Sequence, residues 1–375
     1  MYRILVINTG STSTKIALFE DDRCCYSRNI THDVEELKRF SFAKEQLFYR
    51  MQAIHDSFNR DGVELKELSA VVGRGGAIYP CESGVFEVDE CLLSDTENAV
   101  GGVDHPANLG VLIAKRFANL YGVRCFTVNP PQVDEFSTVA RMTGIAGVYR
   151  ASHLHALNLK EIAIRHSEKI GKRYEDSNYV VCHLGGGVSV SAHRNGKMID
   201  GNDNVGGDGP MTPNRCGSIA VSSILQYVES HSLSEAKNLC TKSGGFVDLL
   251  GTDDVRKVVE SMRNGNSEAQ LAWDAFVYQT EKAIGAMAQV LKGKVDGILL
   301  SGGIVHSKEF VDRIKKDCGW IAEVFAYPGE FEMEALAAGT IRVLSGKEQI
   351  KSYTGKPVWD PASVLAYRGG EEYDS

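Results

Sequence analysis

Two segments of this chain repeat one pattern: a short apolar run, a glycine-containing polar loop, and a second apolar run. The first copy covers residues 3–20 and the second covers residues 179–194. Aligning Gly10 with Gly185 places Asn8 opposite His183, with Lys15 near the start of the second outgoing run. Because repetition of a unit determines the whole architecture, the pattern predicts two related halves, each with a glycine hairpin.

The rest of the chain alternates short apolar runs with longer helical patterns, as α/β proteins do. Apolar residues recur at helical spacing over 47–58 and 109–120, and Gly122 follows the second stripe as a stop signal. Buried-strand runs occupy 71–72, 126–128, 180–182 and 298–300. At 375 residues, the chain is expected to form two domains of similar size with a cleft between them.

Composition excludes several classes of function. A net charge of −8 without any long basic block argues against nucleic acid as a partner. No stretch approaches the length of a membrane span, and the first apolar run, 4–7, is too short for a signal peptide. The 9 cysteines are scattered without metal-ligand spacing. We therefore expect a cytoplasmic protein with reduced thiols and no membrane or nucleic acid partner.

The glycine loops favour phosphate binding. Glycine lets backbone N–H groups converge on an anion and brings no side chain that would block its approach. A single such loop is more often only a tight turn, but two equivalent loops and a third at 301–303 favour a polyphosphate ligand. Arg74, His105, His155 and Arg215 lie at predicted element ends, where functional groups concentrate.

An ordered set of motifs runs through nearly the whole chain. It consists of INTGSTSTK at 7–15, GRGG at 73–76, DHPANLG at 104–110, HALN at 155–158, HLGGG at 183–187, DGPMTPNRCG at 208–217, SGG at 301–303 and PGEFEMEAL at 328–336. With these motifs the sequence resembles the acetate and butyrate kinase (acetokinase) family, and most closely its butyrate kinase branch.

The resemblance implies the duplicated, ribonuclease H-like α/β fold of actin, hexokinase and the Hsp70 ATPase, with two lobes around a nucleotide cleft. The N-terminal lobe would cover residues 1–165 plus 334–375, and the second lobe residues 166–333. The implied reaction is reversible phosphoryl transfer from ATP to a short-chain fatty acid, butyrate or isobutyrate, which gives an acyl phosphate and ADP. Mg²⁺ and a homo-oligomeric state are implied as well.

The resemblance also implies roles for individual residues. The nucleotide would be bound by Asn8, Gly10, Ser11, Thr12, His183, Gly185, Gly186, Gly187, Gly302 and Gly303, and near its adenosine by Asp254 and Arg256. The transition state would be stabilised by Arg74, His155 and Arg215, with His105 beside the acid substrate. The metal site would contain Glu332 and Asn129.

These residue types suit an acid as the phosphoryl acceptor. A fatty acid carboxylate, with a pKa of about 4.3 like that of a Glu side chain, is already an ionised nucleophile at neutral pH and needs no general base. The histidines should therefore act as donors. Arginine suits the transferred phosphoryl because its planar fork can engage two oxygens at once.

Two departures from the family pattern bear on metal and substrate. Asn129 stands where the family has Asp, which predicts weaker Mg²⁺ binding unless Asp134 or Glu135 compensates. A short segment at 75–76 and Leu154 in place of an aromatic residue predict a roomier apolar pocket, with acetate a poor substrate.

Two alternatives remain open from the sequence. A sugar or polyol kinase would need a carboxylate base to deprotonate a hydroxyl, and Asp104 could serve. A nucleotide-binding protein with impaired kinase activity, or a slow ATPase, would explain Asn129. Activity on sugars would favour the first, and ATP binding without acyl phosphate the second.

Overall fold

The computed structural model describes residues 1–102, 105–362 and 364. The chain divides into two compact units. The first consists of Met1–Asp134 with Phe331–Asp360, and the second of Glu135–Glu330 with the described residues after Asp360. The functional division into lobes at about residues 165 and 334 stays a prediction.

Both units are built around β-sheets. Within the described residues, the strands are β1 (Arg3–Thr9), β2 (Ser13–Glu20), β3 (Arg23–Thr31), β4 (Ala70–Gly73), β5 (Val85–Glu87), β6 (Arg124–Val128), β7 (Asn178–Leu184), β8 (Val188–Arg194), β9 (Lys197–Gly201), β10 (Gly297–Gly302), β11 (Val324–Pro328) and β12 (Ile350–Lys351).

Helices connect and cover these strands. They are α1 (Val34–Leu37), α2 (Leu47–Asp61), α3 (Glu90–Glu97), α4 (Leu109–Tyr121), α5 (Thr138–Arg141), α6 (Ala156–Lys169), α7 (Val221–Tyr227), α8 (Leu233–Asn238), α9 (Phe246–Leu250), α10 (Val255–Arg263), α11 (Ser267–Val290), α12 (Lys308–Cys318) and α13 (Glu332–Leu344). The two predicted helical stripes form α2 and α4, each ended by a left-handed glycine, Gly62 or Gly122. None of the helices in the described part of the chain is long and apolar enough to span a membrane.

Both sheets contain the same arrangement of five strands. Strand order is β12-β5-β6-β4-β1-β2-β3 in the first unit and β11-β10-β7-β8-β9 in the second. In each, an antiparallel meander of three strands is followed by two parallel strands on the other side of the first strand. The predicted duplication is therefore confirmed by the topology.

The register of the two hairpins confirms the alignment predicted from the sequence. Asn8 pairs with Lys15 in the first hairpin, two positions before the turn. His183 pairs with Ser189 at the corresponding place in the second. Asn8 and His183 thus occupy equivalent positions, and Ser189 is the equivalent of Lys15.

Each sheet has apolar residues on both faces, so both faces must be covered. In the first unit, Leu5 and Ile7 face the core formed with α2 and α4, while Ile4 and Val6 are equally buried on the alternate positions. Helix α13 packs on β1, β4 and β6, although it follows β11 in the chain. Helix α6, which follows β6, packs on β7 and β10. Helix α13 therefore covers the first sheet although it follows strands of the second, and α6 covers the second sheet although it follows strands of the first.

Candidate functional site

The first loop, residues 10–12, connects β1 to β2, and a hydrogen bond from Gly10 N to the Ser13 carbonyl oxygen at 2.8 Å closes it. Its flanking strands are buried, whereas Ser11 and Thr12 are exposed at its tip. Among the described residues, the backbone N–H groups of Ser11 and Thr12 donate no hydrogen bond. The loop can therefore offer backbone donors to an anion.

The carboxylate of Glu332 contacts two other predicted site residues of the first unit. Glu332, in the first turn of α13, accepts a hydrogen bond from Asn8 Nδ2 to its Oε2 at 2.8 Å. Its Oε1 pairs with Arg74 Nη2 at 2.9 Å. Asn8 lies near the end of β1, and Arg74 directly follows β4, the parallel neighbour of β1. The carboxyl ends of two strands and the start of one helix thus converge.

His105 lies against the first loop. It caps the short 3₁₀ helix Pro106–Asn108, with Nδ1 accepting a hydrogen bond from Ala107 N at 3.1 Å. In the neutral ring the hydrogen is therefore on Nε2, which donates to Ser11 Oγ at 3.1 Å. Asp104, the base of the sugar kinase alternative, lies outside the described residues.

The glycines after β4 serve close packing. Gly75 has a φ of +104°, and a Cβ there would lie 2.3 Å from the Ala107 carbonyl oxygen. On Gly76 a Cβ would lie 3.4 Å from Thr96 Oγ1. Gly75 is therefore required by close packing against the Ala107 carbonyl. The roomier apolar pocket expected from the short segment and Leu154 stays a prediction. Leu154 is buried, with its methyl groups 3.0 Å from where a Cβ on Gly201 would lie.

Asn129 ends β6 in a left-handed turn with a φ of 39°, a conformation in which Asn is enriched. Its Oδ1 accepts a hydrogen bond from Gly84 N at 2.8 Å, and its own N donates to the Gly84 carbonyl oxygen at 2.9 Å. The side chain thus connects two loops of the first unit. Its role at a metal stays a prediction.

The second loop, residues 185–187, connects β7 to β8 and is held by the segment 212–215. Thr212 Oγ1 donates to the Gly186 carbonyl oxygen at 2.6 Å. Arg215 lies directly on Gly187, where a Cβ would be 2.5 Å from its Nη1. The same guanidinium donates to the backbone and side-chain oxygens of Asn204. Burial lowers the pKa of Arg215, so this cation would gain from a bound anion.

His155 and His183 form a stacked pair in the second unit, with ring centroids 4.1 Å apart. Ser189 Oγ accepts a hydrogen bond from His155 N at 3.3 Å and lies 2.8 Å from His155 Nδ1. If the Ser189 hydroxyl donates a hydrogen bond to Nδ1, the neutral ring of His155 carries its own hydrogen on Nε2. In that tautomer His155 could donate a hydrogen bond from Nε2, and its role as a donor stays a prediction.

The third glycine turn repeats the geometry that follows β4. Ser301 pairs with His183 at the end of β10, so strand register makes Gly302 the equivalent of Gly75. Gly302 has a φ of +97°, and a Cβ there would lie 2.3 Å from the Leu184 carbonyl oxygen. A Cβ on Gly303 would meet nothing within 4 Å. Gly302 is therefore fixed by packing, whereas Gly303 borders open space.

Asp254 and Arg256 pair with each other at the start of α10. Asp254 caps the helix by accepting a hydrogen bond from Arg256 N at 3.0 Å, and both its oxygens accept from the guanidinium. The hydrogen bond from Arg256 lowers the pKa of Asp254 to about 2. Among the described residues, neither contacts another predicted site residue through a hydrogen bond, so their adenosine role stays a prediction.

The structure adds two residues that the sequence did not single out. Ser189 orients His155, and Thr212 fixes the carbonyl of Gly186. The internal repeat offered a signal for Ser189, since it occupies the position of Lys15 in the first copy. Thr212 lies within the motif at 208–217, but only the folded loop shows its contact with the Gly186 carbonyl.

Comparison with known proteins gives a consistent result. A model of the acetokinase family matches residues 128–317. A protein named probable butyrate kinase from Clostridium botulinum is 41% identical over 354 residues, which cover 94% of this chain and 99% of that protein. A protein named probable butyrate kinase 2 from Caldanaerobacter subterraneus subsp. tengcongensis is 42% identical over 355 residues, which cover 94% and 100%.

Among solved structures, the acetate kinase of Porphyromonas gingivalis superposes with a TM-score of 0.76 at 20% sequence identity. The match covers 92% of this chain and 100% of that protein. At this identity the likeness concerns the fold alone. It confirms the duplicated α/β fold that the motifs predict.

Proposed function

The chain belongs to the acetokinase family, and on that premise we propose that it transfers a phosphoryl group from ATP to butyrate or isobutyrate, giving the acyl phosphate and ADP. The reaction is reversible. The observation that carries this proposal is the convergence of Asn8 and Arg74 on the carboxylate of Glu332. The guanidinium of Arg74, which can bind an anion, thus lies beside the carboxylate of Glu332, an oxygen ligand suited to a hard metal ion. Both lie at the end of β1, the strand that leads into the first loop.

In this mechanism the acid attacks as a carboxylate, so no residue removes a proton from it. Arg74 is the group we assign to holding that carboxylate, with His105 beside it. The first loop offers backbone N–H groups to phosphate oxygens, and Arg215 and His155 donate to the oxygens of the transferred phosphoryl. Fixed positive charge and alignment, rather than acid–base chemistry, then provide the catalysis.

Mg²⁺ is part of the proposal. The carboxylate oxygens of Glu332 are ligands of the kind that Mg²⁺ prefers. When bound, Mg²⁺ would neutralise charge on the phosphates. Among the described residues there is no group of three or more His, Cys, Asp or Glu that could hold a metal. Mg²⁺ commonly takes one or two carboxylates and completes its shell with water and phosphate oxygens, so a site at Glu332, with Asn129 acting directly or through water, is chemically reasonable.

Asn129→Asp tests the second of these ligands. If Asn129 contributes to metal binding, the added charge should lower the Mg²⁺ concentration needed for half-maximal activity. An unchanged Mg²⁺ dependence would remove Asn129 from the metal site.

We also propose a cytoplasmic, homo-oligomeric enzyme. None of its 9 cysteines, all within the described residues, forms a disulfide, which suits a reducing compartment. Soluble oligomers are mostly closed, symmetric assemblies of identical chains. Gel filtration with light scattering would test the oligomer.

The test of the function is hydroxylamine trapping of acyl phosphate with Mg²⁺-ATP and a panel of C2 to C6 acids, with glycerol and glucose as controls. Product with the C3 to C5 acids and little with acetate supports the proposal. Phosphorylation of glucose or glycerol without acyl phosphate would indicate a sugar or polyol kinase. ATP binding without any product would indicate an impaired kinase.

A matched pair of variants links the assay to the site. Arg74→Met removes the guanidinium that pairs with Glu332, and we expect product formation to fall by about 100-fold or more. Arg124→Met in the same unit removes an exposed pair with Glu87 and a contact of the guanidinium with the Phe126 ring, neither of them at a predicted site residue, and should leave the rate near that of the unaltered protein. Equal losses in both variants would contradict the assignment of Arg74.

A further inference from the structure

A fully buried arginine lies beneath the first loop. Arg50, on α2, has no exposed surface. Its Nη2 donates to the Ser11 carbonyl oxygen at 2.8 Å, and its Nη1 to the Ser13 carbonyl oxygen at 2.9 Å. Nη1 also donates to Thr14 Oγ1 at 3.1 Å, and Nε donates to Gln46 Oε1 at 3.0 Å. One guanidinium therefore holds both sides of the loop tip.

These contacts fix the direction in which the loop presents its backbone. The carbonyl of Thr12 accepts a hydrogen bond from His32 N at 2.9 Å, so three successive carbonyls, those of Ser11, Thr12 and Ser13, are bound by the protein. A peptide carbonyl and the N–H of the next residue point in opposite directions. Because the Ser11 carbonyl is turned toward Arg50, the N–H of Thr12 is turned away from Arg50, toward the exposed tip of the loop.

The charge of Arg50 is not neutralised by a carboxylate. Its partners among the described residues are two carbonyls, a hydroxyl and an amide oxygen, all uncharged. Burial lowers the pKa of Arg50 to about 10, because water is absent and no acid replaces it. A buried cation without an acid is costly to keep, and an anion bound at the loop would offset part of that cost.

We propose that Arg50 is a positioning residue that sets the first loop for nucleotide phosphate: its bonds to the carbonyls of Ser11 and Ser13 hold the loop and orient the N–H of Thr12, and its charge attracts the anion. This inference rests on the proposed function for the identity of the anion. In this role Arg50 acts through the loop and contacts neither substrate.

The test compares Arg50→Met with Arg60→Met, a change on the same helix at an exposed arginine whose ion pair is with Asp61. We expect Arg50→Met to raise the Kd for Mg²⁺-ADP and the KM for ATP by about tenfold or more, as for one lost charge-assisted hydrogen bond, while the KM for the acid changes little. Arg60→Met should leave all three constants unchanged. Equal increases in both KM values would indicate a general structural role and overturn the proposal.

Arg50→Lys covers the case in which Arg50→Met does not fold. Lysine keeps the charge, but a single ammonium cannot reproduce the fork that bridges two carbonyls. We expect a folded protein with a Kd for Mg²⁺-ADP raised by about threefold to tenfold, for the partial loss of those bonds. An unchanged Kd would show that bridging is not needed and would overturn the proposal.

Calorimetric titration with Mg²⁺-ADP separates this inference from the proposed function, since it needs no acid and no turnover. Weakened ADP binding in the Arg50 variants, in a protein that forms no acyl phosphate, would keep the role of Arg50 and reject the acid kinase. Acyl phosphate formation together with normal ADP binding in both Arg50 variants would support the acid kinase and reject the role of Arg50.

Discussion

The adjacent glycines after β10 provide an internally controlled prediction. Gly302→Ala places a methyl group 2.3 Å from the Leu184 carbonyl oxygen and 2.6 Å from its carbonyl carbon. Both contacts are to backbone, so the alanine cannot be accommodated by a side-chain rotation. Its φ of +97° is also disfavoured for alanine. Gly303→Ala meets nothing within 4 Å and does not have a positive φ.

The magnitudes follow from these two differences. An unfavourable φ costs about 1–3 kcal/mol, and forcing a methyl group into packed backbone costs about 1–3 kcal/mol more. Gly302→Ala should therefore lower the free energy of unfolding by about 2–6 kcal/mol. Gly303→Ala should leave it unchanged or raise it by up to about 1 kcal/mol, since alanine restricts the unfolded chain.

The assay is urea denaturation followed by tryptophan fluorescence, in which Trp273 reports on the core of the second unit. Titration with Mg²⁺-ADP supplies the functional comparison, because a nucleotide passing over Gly303 would make Gly303→Ala bind ADP more weakly in a protein of normal stability. Equal midpoints for Gly302→Ala and the unaltered protein would refute the packing argument. Unchanged ADP binding in Gly303→Ala would remove Gly303 from the nucleotide site.

Three further predictions concern single side chains. Ser189→Ala should lower kcat by about tenfold with little loss of stability, because His155 loses the hydroxyl that orients its ring, whereas Ser189→Thr, which keeps the hydroxyl, should retain most of the rate. Glu332→Gln should raise the Mg²⁺ concentration for half-maximal activity and lower kcat by about 100-fold, measured by the trapping assay; an unchanged Mg²⁺ curve would exclude Glu332 as a ligand. His32 is buried, and burial lowers its pKa from 6.5 to about 4, so the unfolded state takes up a proton that the folded state does not. Stability should fall by about 3 kcal/mol as the pH drops from 6.5 to 4, and His32→Gln should flatten that part of the curve of urea midpoint against pH.

The hairpins and helices could be predicted from the sequence because they depend on residues close together in the chain. The apolar runs of the strands, the glycine loops and the stop signal at Gly122 act over a few positions, and all appear as expected. The order of the motifs then supplied the family and with it the fold. Local pattern and family motif thus predicted the scaffold and most of the candidate residues.

The contacts among those residues could not be predicted in the same way. Asn8 and Glu332 are separated by 324 positions and meet only because α13 packs on the first sheet. No local pattern carries that information. The close packing of Gly75 is a similar case, since the carbonyl against it belongs to Ala107, in the 3₁₀ helix Pro106–Asn108, which no local pattern places there.

Arg50 did leave a signal in the sequence. It lies three positions after Leu47 and four before Ile54, and thus on the apolar stripe of α2. A charged residue on such a stripe is rarely buried without a reason. Its partners, however, are backbone carbonyls of the first loop, which no pattern of side chains reveals.

The position of α13 late in the sequence affects how the first unit folds during synthesis. Residues 1–134 are synthesised well before α13, which begins at Glu332 and covers the face of the first sheet that carries Ile4 and Val6. At ordinary translation rates the ribosome needs roughly 10–40 s to make the intervening segment. During that time the nascent first unit has an apolar face without its cover and lacks the carboxylate that pairs with Arg74. A chaperone that binds apolar surface would therefore act mainly within this interval, before the polypeptide is released.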